Sequence, residues 1–594
     1  MRLAAALLGI CALAFGAGTT AIELVVRDSA GTPVANAMVT RSAIGGAPTD
    51  TSDNGYPAPG QINMAAPQVT RFSDAAGKLV FEDTPALVDL RVRKPAYVDT
   101  RVQGVRGDEA PELVLAPQTD PLALAESRPA NLWLSLLDFD GDNRAREHFL
   151  LHCAFCHQQA SPFMRKARSR EEWRDVIDRM NRYGAQMAHE FRRPLARYLS
   201  ARFDAIRNRP GLLPDFEPWQ PHLAGVEITE WPIGDSLSQM HDFLLHPNGM
   251  VYVGDNLMDR IYELDPLSGE YRVYRIPHAD GAPLGGILGN RFAAGYPKVE
   301  NYLGVHSFAL SPTDGHIFIT PSMAQSLLEF DPVSKRFTEW TMDEGFYPHT
   351  IRIDARDRVW FTLALSNQVA MFDRARQEFS YYDLPPRSLR ERVVSAVVKW
   401  RLGRGDVGEP PEYDWDNTGF PMPYGIDIAP DGTVWVTRLY ASDIVRIDPD
   451  SGEVQAIPTP FTGPRRLRCD AAGNPWITGF SSGLIARYDT AQHRFDTWPL
   501  PVRSDTPYAL NVDRARRVVW VNGNQSDTLL RFDIASETWK VYPLARQRSF
   551  TRDIEIDEDG AVYTSISNFP AWQIEDAQPT LVRVREAGAN LASP

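Results

Sequence analysis

The 594-residue sequence is poor in cysteine, with four such residues. Three of them lie beyond the N-terminal region, which is too few for a disulfide framework in so long a chain. Basic residues are outnumbered by acidic ones, 62 to 76, and the net charge of −14 argues against binding to nucleic acid. Beyond the N-terminal region no segment approaches about 18 uninterrupted apolar residues, so we expect no transmembrane segment.

Glycine, proline and aromatic residues are abundant. The chain has 41 glycines and 46 prolines, and aromatic residues make up 10% of it, which favours many short strands joined by turns. Hydrophobic residues reach 43%, enough to bury cores and to exclude overall disorder. The length suits three to four domains at roughly 150 residues each.

The N-terminus has the pattern of an export signal. Met1 and Arg2 give a short positive region, residues 3–15 are apolar, and residues 16–21 are small. The apolar stretch is too short to span a membrane. We therefore expect a signal peptide over 1–21 and a protein that is periplasmic or otherwise exported, and soluble after cleavage.

The motif with the most specific chemistry is Cys153-Ala154-Phe155-Cys156-His157, a C-x-x-C-H sequence. Two thiols one helical turn apart can each add to a vinyl group of the same porphyrin, and the adjacent histidine can ligate the iron. A redox-active dithiol is the alternative interpretation. Export, a single copy of the motif and helical flanks favour one covalent haem c.

The flanks of this motif indicate a small helical domain. Residues 144–152 form an amphipathic run, Ser169 and Glu172 have capping-box spacing, and residues 194–203 predict a further helix. Together with the motif, the E-W…M…G-A…Y-L pattern makes residues 136–206 resemble a cytochrome c domain. The similarity is greatest to haem domains of sulfite dehydrogenase small subunits and quinohaemoprotein amine dehydrogenases. It implies electron transfer with a periplasmic redox partner, either a cytochrome or a dehydrogenase.

The sixth iron ligand is predicted from the same resemblance. Similar domains place a methionine shortly before a Tyr-Gly-Ala sequence, and Met180 occupies that position. Met187 and Met164 are competing thioethers, and His189 would give an iron of lower potential. A purely structural role for Met180 in the helix core also remains open.

Residues 22–116 form a separate β-rich segment of short alternating runs, including one at 34–39, divided by turn signals. The order G-x-P-V-x-x-A-x-V, then S-D-x-x-G-x-x-x-F, resembles the carboxypeptidase regulatory-like β-sandwich. That resemblance implies a structural or adhesion module without chemistry of its own. A linker rich in proline, alanine and aspartate is expected over 117–135.

The chain repeats itself from 225 to 590. Equivalent segments recur 41–44 residues apart in four of six intervals, and each unit has the pattern of four strands. This is the signature of a β-propeller blade. The last unit lacks a fourth strand, and an unassigned strand at 226–233 should complete it, so we predict seven blades in a closed ring. The fold class is thus multidomain and mainly β, with an N-terminal β-sandwich, a small all-α cytochrome c domain and a C-terminal seven-bladed β-propeller.

Each blade contributes one polar residue to the predicted mouth of the propeller. The seven residues are His241, His306, His349, Tyr424, Arg465, Tyr508 and Arg552. We expect a small anionic or phenolic substrate here, with His349 or His306 as general base. Arg465 and Arg552 would hold its negative charge, and the two tyrosines would orient it. Alternatively, these residues bond only to one another and to water.

The propeller segment resembles the virginiamycin B lyase (streptogramin lyase) family in its P-H/Y-x-I starts, D-G-x-x-W turns and I-x-x-x-D-P ends. The resemblance implies opening of a lactone ring by a histidine and glutamates around Mg²⁺. The glutamates of the lyase W-F-T-E pattern are replaced by Leu363, Arg438 and Gly479, which argues against that reaction. We therefore predict an exported cytochrome that transfers electrons. It would exchange them either with a small molecule that is oxidised or with a partner linked to the propeller. The alternative is a C–O lyase or a non-catalytic binding platform.

Overall fold

A computed structural model describes residues 20–44, 62–107, 109, 111–235, 237–289, 299–404, 420–569 and 571–586. The predicted signal peptide lies outside these ranges except for Thr20 and Ala21, which begin the first strand. None of the helices in the described ranges combines the length and the apolar character needed to cross a membrane.

The N-terminal segment folds as two small sheets, with strand order β5-β1-β8 and β4-β2-β6-β7. Its strands are β1 (Thr20–Asp28), β2 (Met38–Ala43), β3 (Asn63–Met64), β4 (Gln68–Phe72), β5 (Lys78–Thr84), β6 (Leu87–Arg93), β7 (Thr100–Arg106) and β8 (Glu112–Leu115). Alternate residues such as Leu24 and Leu90 meet in one core between the sheets. The run predicted at 34–39 becomes a strand only from Met38, because Asn36 has a φ of 54° and turns the chain.

Five helices follow, namely α1 (Pro121–Glu126), α2 (Ala130–Leu134), α3 (Asn143–Cys153), α4 (Arg170–Met180) and α5 (His189–Asn208). The segment expected as a linker contains α1 and α2, because Asp120 caps α1 and Trp133 of α2 is buried in the helical core. The predicted capping box is confirmed, since the Ser169 hydroxyl accepts from the Glu172 N–H at 3.2 Å and Glu172 accepts from the Ser169 N–H at 2.6 Å.

Strand β9 (Val226–Pro232) leads into a propeller of seven blades. Blades 1 to 3 are β10 (Met240–Leu245), β11 (Val251–Asp255), β12 (Arg260–Leu264), β13 (Glu270–Arg275); β14 (Val305–Leu310), β15 (Ile317–Pro321), β16 (Ser326–Asp331), β17 (Arg336–Thr341); and β18 (Pro348–Ile353), β19 (Arg358–Leu363), β20 (Gln368–Asp373), β21 (Glu378–Asp383). Helix α6 (Leu389–Gly403) precedes blade 4.

The remaining blades follow the same plan. They are β22 (Pro423–Ile428), β23 (Val434–Arg438), β24 (Asp443–Ile447), β25 (Val454–Pro458); β26 (Pro464–Cys469), β27 (Pro475–Gly479), β28 (Leu484–Asp489), β29 (Arg494–Pro499); β30 (Leu510–Asp513), β31 (Val518–Gly523), β32 (Thr528–Asp533), β33 (Thr538–Pro543); and β34 (Thr551–Ile556), β35 (Val562–Ile566), β36 (Thr580–Glu586).

The ring closes as the sequence predicts. Strand β9 pairs antiparallel with β36, with Ile228 opposite Val584, and supplies the outer strand of blade 7. The other edge of β9 pairs with β4, with Thr70 opposite Ile228, and Arg71 forms an ion pair with Glu227 at 2.6 Å. Blade 7 therefore continues into the N-terminal unit as one eight-stranded sheet, and no strand edge of this blade is left open beside β9.

Candidate site at the propeller mouth

The structure brings the seven predicted mouth residues together, one from each blade. Each has no more than 4% of its surface exposed. The rings of His241 and His306 are 3.8 Å apart between centroids, and those of His306 and His349 are likewise 3.8 Å apart. The His349 ring lies 4.0 Å from that of Tyr424. The repeat pattern therefore located a real cluster of polar side chains at the mouth.

Hydroxyl groups on the second strands hold this ring in place. Each donates to the backbone carbonyl of a mouth residue on the next blade, which ties neighbouring blades together and fixes the mouth residue between them. These bonds are Ser565 to His241 at 3.1 Å, Thr320 to His349 at 2.5 Å, Thr362 to Tyr424 at 3.0 Å, Thr437 to Arg465 at 2.5 Å and Thr478 to Tyr508 at 3.3 Å.

Two of the histidines have a defined tautomer. Nδ1 of His241 lies 3.0 Å from a carboxylate oxygen of Asp242 and 3.1 Å from the carbonyl of His306. Nδ1 of His349 lies 3.0 Å from the hydroxyl of Thr350 and 3.2 Å from the carbonyl of Tyr424. A hydroxyl can accept as well as donate, so the carbonyl decides the role of this nitrogen. Carbonyls and carboxylates only accept, so Nδ1 carries the proton in both rings and Nε2 keeps its lone pair.

Burial keeps the three imidazoles neutral. It lowers the pKa of His241 to about 4, although the hydrogen bond to Asp242 opposes this. Burial also lowers the pKa of His306 and of His349 far below the ordinary value, and the positive charge of Arg466 adds to the effect. At neutral pH these rings are therefore uncharged, and a free ring nitrogen can accept a hydrogen bond from a bound donor.

Two tyrosines and two arginines complete the ring. The hydroxyls of Tyr424 and Tyr508 are 2.5 Å apart, Arg465 donates to Tyr424 at 2.9 Å, and Arg552 donates to Tyr508 at 3.1 Å. Burial raises the pKa of Tyr424 well above its ordinary value. Burial also disfavours ionisation of Tyr508, but the nearby guanidinium charges of Arg465 and Arg552 outweigh it and lower the pKa of Tyr508.

An ion-pair network supports the ring from the adjacent positions of the same strands. Arg466 binds both carboxylate oxygens of Asp242, at 2.7 and 2.8 Å, and one oxygen of Asp553 at 3.0 Å. All three residues are buried. The ion pair with Arg466 holds the pKa of Asp242 below its ordinary value despite burial, whereas burial raises that of Asp553 to about 7. The repeat pattern did not reveal this network, because it singles out one equivalent residue per inner strand and these residues are its neighbours.

The helical unit sits over the mouth, and the two enclose a cavity of about 390 Å³. Its walls carry Cys153, Cys156 and His157 from the helical unit. Six of the seven ring residues line the same cavity, namely His241, His306, His349, Tyr424, Tyr508 and Arg552. The C-x-x-C-H motif and the propeller mouth thus form a single site, which neither sequence pattern predicted by itself.

In the C-x-x-C-H motif, the groups that would attach a haem and bind its iron are free. Cys153 and Cys156 are free thiols. Nδ1 of His157 lies 3.0 Å from the carbonyl of Gln158, so Nε2 keeps its lone pair, an arrangement common among metal-binding histidines. Met180 lines the cavity, as do Met187 and Met164, and the structure does not select one of them as a ligand.

Arg465 is a correction to the predicted site, because it does not line the cavity. The ring of Phe155, inside the C-x-x-C-H motif, lies 4.0 Å from its guanidinium carbon and covers it. The rings of Tyr508 and Phe480 enclose it further, at 3.6 and 4.2 Å. A substrate in the cavity would therefore meet Arg552 rather than Arg465.

The cavity is apolar over much of its wall and holds no carboxylate among the described residues that line it. Its charged side chains there are Arg552 and Arg179. His241, Asp242 and His306 lie close enough to share a metal ion. Both carboxylate oxygens of Asp242 already accept hydrogen bonds from Arg466. Hard cations such as Mg²⁺ prefer free carboxylates, so this site is poorly suited to bind them.

No protein-family model matches the sequence, and no curated protein matches it. Similar solved structures include virginiamycin B lyase from Staphylococcus aureus, with 16% identity, a TM-score of 0.45 and coverage of 60% of this chain and 99% of that one. A streptogramin B lyase structure has 16% identity and a TM-score of 0.46, covering 61% and 98% of the two chains. The extracellular domain of a one component system from B. thetaiotaomicron has 14% identity and a TM-score of 0.40, covering 60% and 41%. These neighbours share the propeller fold with the C-terminal part of the chain. At such identities and TM-scores they carry no conclusion about activity.

Proposed function

We propose that this protein is an exported c-type cytochrome with oxidoreductase activity at the propeller mouth. One haem c would be attached through Cys153 and Cys156, and His157 would bind its iron. A small molecule at the mouth would give up electrons, and a periplasmic cytochrome or dehydrogenase would exchange them with the protein. The observation that carries the proposal is that the C-x-x-C-H motif and the mouth residues line one cavity.

The chemistry of the cavity supports this proposal. Two free thiols and an imidazole with a free Nε2 stand at one wall, and apolar side chains such as Trp173 and Leu199 surround them. An apolar wall suits the face of a porphyrin, and a thioether from Met180, Met187 or Met164 is within the same cavity. When bound, haem would supply one-electron redox chemistry.

The propeller side supplies groups for handling a substrate. The neutral rings of His349 and His306 are suited to accept a hydrogen bond from a substrate, and Arg552 is suited to hold a negative charge. Tyr424 and Tyr508 are linked by a short hydrogen bond and would orient the ligand. A small anionic or phenolic compound is the substrate class that these groups favour.

The proposal is tested by producing the full chain in a host that attaches haem c and recording anaerobic spectra as candidate acids and phenols are added. We expect one haem per chain, reduction of the ferric form by at least one compound, and loss of that reduction in His349→Gln protein. His493→Gln is the matched control, because this histidine is exposed at a turn. Absence of haem, or reduction that is unchanged in His349→Gln, would contradict the proposal.

The axial ligand is resolved in the same experiment with Met180→Ala, Met187→Ala and Met164→Ala proteins. The substitution that removes the ligand should abolish the sulfur-to-iron charge-transfer band, and the sequence resemblance points to Met180. If all three variants keep the band, ligation by these methionines is wrong.

The second candidate function is a lyase-like or purely binding propeller, as the sequence resemblance implies. The specific observation in its favour is the cluster of neutral histidines at the mouth, which can bind and orient a ligand without redox chemistry. Turnover of a lactone without change in the haem spectrum would support it. The absence of carboxylates from the described cavity wall argues against the Mg²⁺-dependent form.

A further inference from the structure

The propeller wall of the cavity has two regions with opposite chemical requirements for a ligand. On blades 1 and 3, His241 and His349 commit their Nδ1–H groups to protein acceptors, so each leaves an Nε2 acceptor without a described protein donor. Both residues line the cavity, and His306 lies between them. A ligand that satisfies this side must present a hydrogen-bond donor.

Blade 7 presents the opposite requirement. Arg552 is 4% exposed, and its hydrogen bonds go to the hydroxyls of Tyr508 and Ser567 and to the carbonyl of Ser567. Among the described residues no carboxylate forms an ion pair with it. A buried guanidinium without a counter-charge is costly, so this side favours an anion. Blades 7 and 1 are neighbours in the ring, which places the anion site beside His241.

We infer that the mouth binds a small organic acid that also carries a hydroxyl group. Its carboxylate would pair with Arg552, and its hydroxyl would donate to the histidine side. This inference deepens the proposed function by naming the substrate class, and it rests on that function for the ligand being a substrate. An acid without a hydroxyl, or an alcohol without an acid, satisfies only one side of the site.

A divalent metal ion is the competing occupant of the histidine side. Imidazole Nε2 atoms are good ligands for such ions. The positive charges of Arg552 and Arg466 act on these histidines and oppose a cation. Asp242, the nearest carboxylate, is bound through both oxygens to Arg466. The charge distribution therefore favours the hydroxy acid.

Calorimetric titration of the reduced, full-length holoprotein, which cannot accept electrons from the ligand, tests the inference with two matched sets of ligands. One set is mandelate, phenylacetate and benzyl alcohol, and the other is 4-hydroxybenzoate, benzoate and phenol. We expect the hydroxy acid of at least one set to bind at least tenfold more tightly than both of its partners. Equal affinities within both sets, or no binding of either hydroxy acid, would overturn the inference.

Variants assign each half of the ligand to its side of the site. Arg552→Gln should remove the advantage of the hydroxy acid over the alcohol, while Arg552→Lys should retain part of it. His349→Phe should remove the advantage over the plain acid, and His349→Gln, which keeps an acceptor, should retain part of it. His493→Phe is the control for added apolar bulk.

If Arg552→Gln shifts the haem potential and leaves acid binding intact, Arg552 pairs with a haem propionate and the inference is wrong.

Metal analysis and the reduction assay separate the remaining outcomes. A stoichiometric divalent metal that disappears in His306→Phe protein would overturn the hydroxy-acid inference in favour of a metal site. Because binding is measured without electron transfer, hydroxy acids that bind but never reduce the haem would contradict the proposed function alone. Reduction of the haem by compounds lacking a hydroxyl, with no binding of hydroxy acids, would contradict the inference alone.

Discussion

At the scale of single residues, the balance of charge beneath the mouth depends on Arg466. Its guanidinium is fully buried and is neutralised chiefly by the bidentate contact with Asp242. We predict that Asp242→Asn lowers the free energy of unfolding by about 3–5 kcal/mol, because it removes the partner of a buried charge. Urea denaturation measures the change.

The matched control is Asp450→Asn, since Asp450 is an exposed carboxylate whose ion pair with Arg356 lies at the surface. Surface pairs contribute about 0–1 kcal/mol, so this variant should unfold close to the unmodified protein. Similar losses in both variants would show that Asp242 contributes nothing beyond an ordinary surface pair.

The pKa of His349 predicts a pH dependence of stability. Its folded-state pKa lies well below the ordinary value, so the unfolded chain binds more protons than the folded one as pH falls below about 6.5. The contribution of the neutral His349 ring to the free energy of unfolding is therefore complete above about pH 6.5. It is lost as the pH falls from there toward the folded-state pKa. We predict that the stability difference between unmodified and His349→Gln protein is largest at pH 7.5 and shrinks by pH 5.

Denaturation midpoints of both proteins across this range provide the measurement. Taking the difference between them removes the opposing contribution of groups with raised pKa values, such as Asp553 and Asp259, which both proteins share. A difference that stays constant from pH 7.5 to 5 would contradict the depressed pKa of His349.

Much of the ring was predictable from the sequence, because one residue per repeat occupies an equivalent place on each inner strand. The repeat period therefore located His241 and Arg552 without knowledge of any contact. The cover that Phe155 places over Arg465 was not predictable, since a spacer position in C-x-x-C-H carries no signal of what it will touch. The sequence also could not show which ring residues face the cavity and which are sealed from it.

At the scale of elements, the contact between β4 and β9 joins the N-terminal unit to the propeller. Strand β4 lies between β2 and β9, so its backbone groups serve ladders on both sides. We predict that Val69→Pro uncouples the two units, because proline removes a donor and disrupts a central strand. Scanning calorimetry should then show two transitions, or one at clearly lower temperature.

Val69→Thr is the control for this substitution, since threonine keeps the backbone donor and suits a strand. A Val69→Pro protein that unfolds as the control does would show that the β4–β9 pairing contributes little to cohesion. Closure of the ring by β9 was predictable from the missing fourth strand of the last repeat. The pairing with β4 was not, because a contact between such distant segments has no local pattern.

At the scale of the whole molecule, the helical unit and the propeller meet through the C-x-x-C-H motif itself. Phe155 packs beside Tyr424 and Phe480, at 6.3 and 6.4 Å between ring centroids, in addition to covering Arg465. In the proposed holoprotein, we predict that Phe155→Ala still carries covalent haem, because the proposed attachment requires only the two thiols and the histidine. Its propeller mouth should lose protection, because the cover over Arg465 is gone.

Hydrogen exchange of the segments around Tyr424 and Phe480 tests this prediction, and Phe155→Leu serves as the conservative variant. Exchange at the mouth should rise in the alanine variant and remain near normal in the leucine variant. Unchanged exchange in Phe155→Ala would mean that the units are held together elsewhere, and loss of haem would mean that Phe155 matters for attachment.

The place of β9 in the chain has a consequence for biogenesis. A polypeptide that emerges from its N-terminus presents β4, the C-x-x-C-H motif and β9 long before β36, the partner that closes the ring. During that interval β4 can already occupy one edge of β9, which leaves a single edge exposed to other chains. Cys153 and Cys156 are likewise synthesised before the propeller closes, so the haem attachment proposed above could precede the sealing of the mouth beneath them. Order of synthesis would thus leave both thiols accessible until the last strand closes the ring.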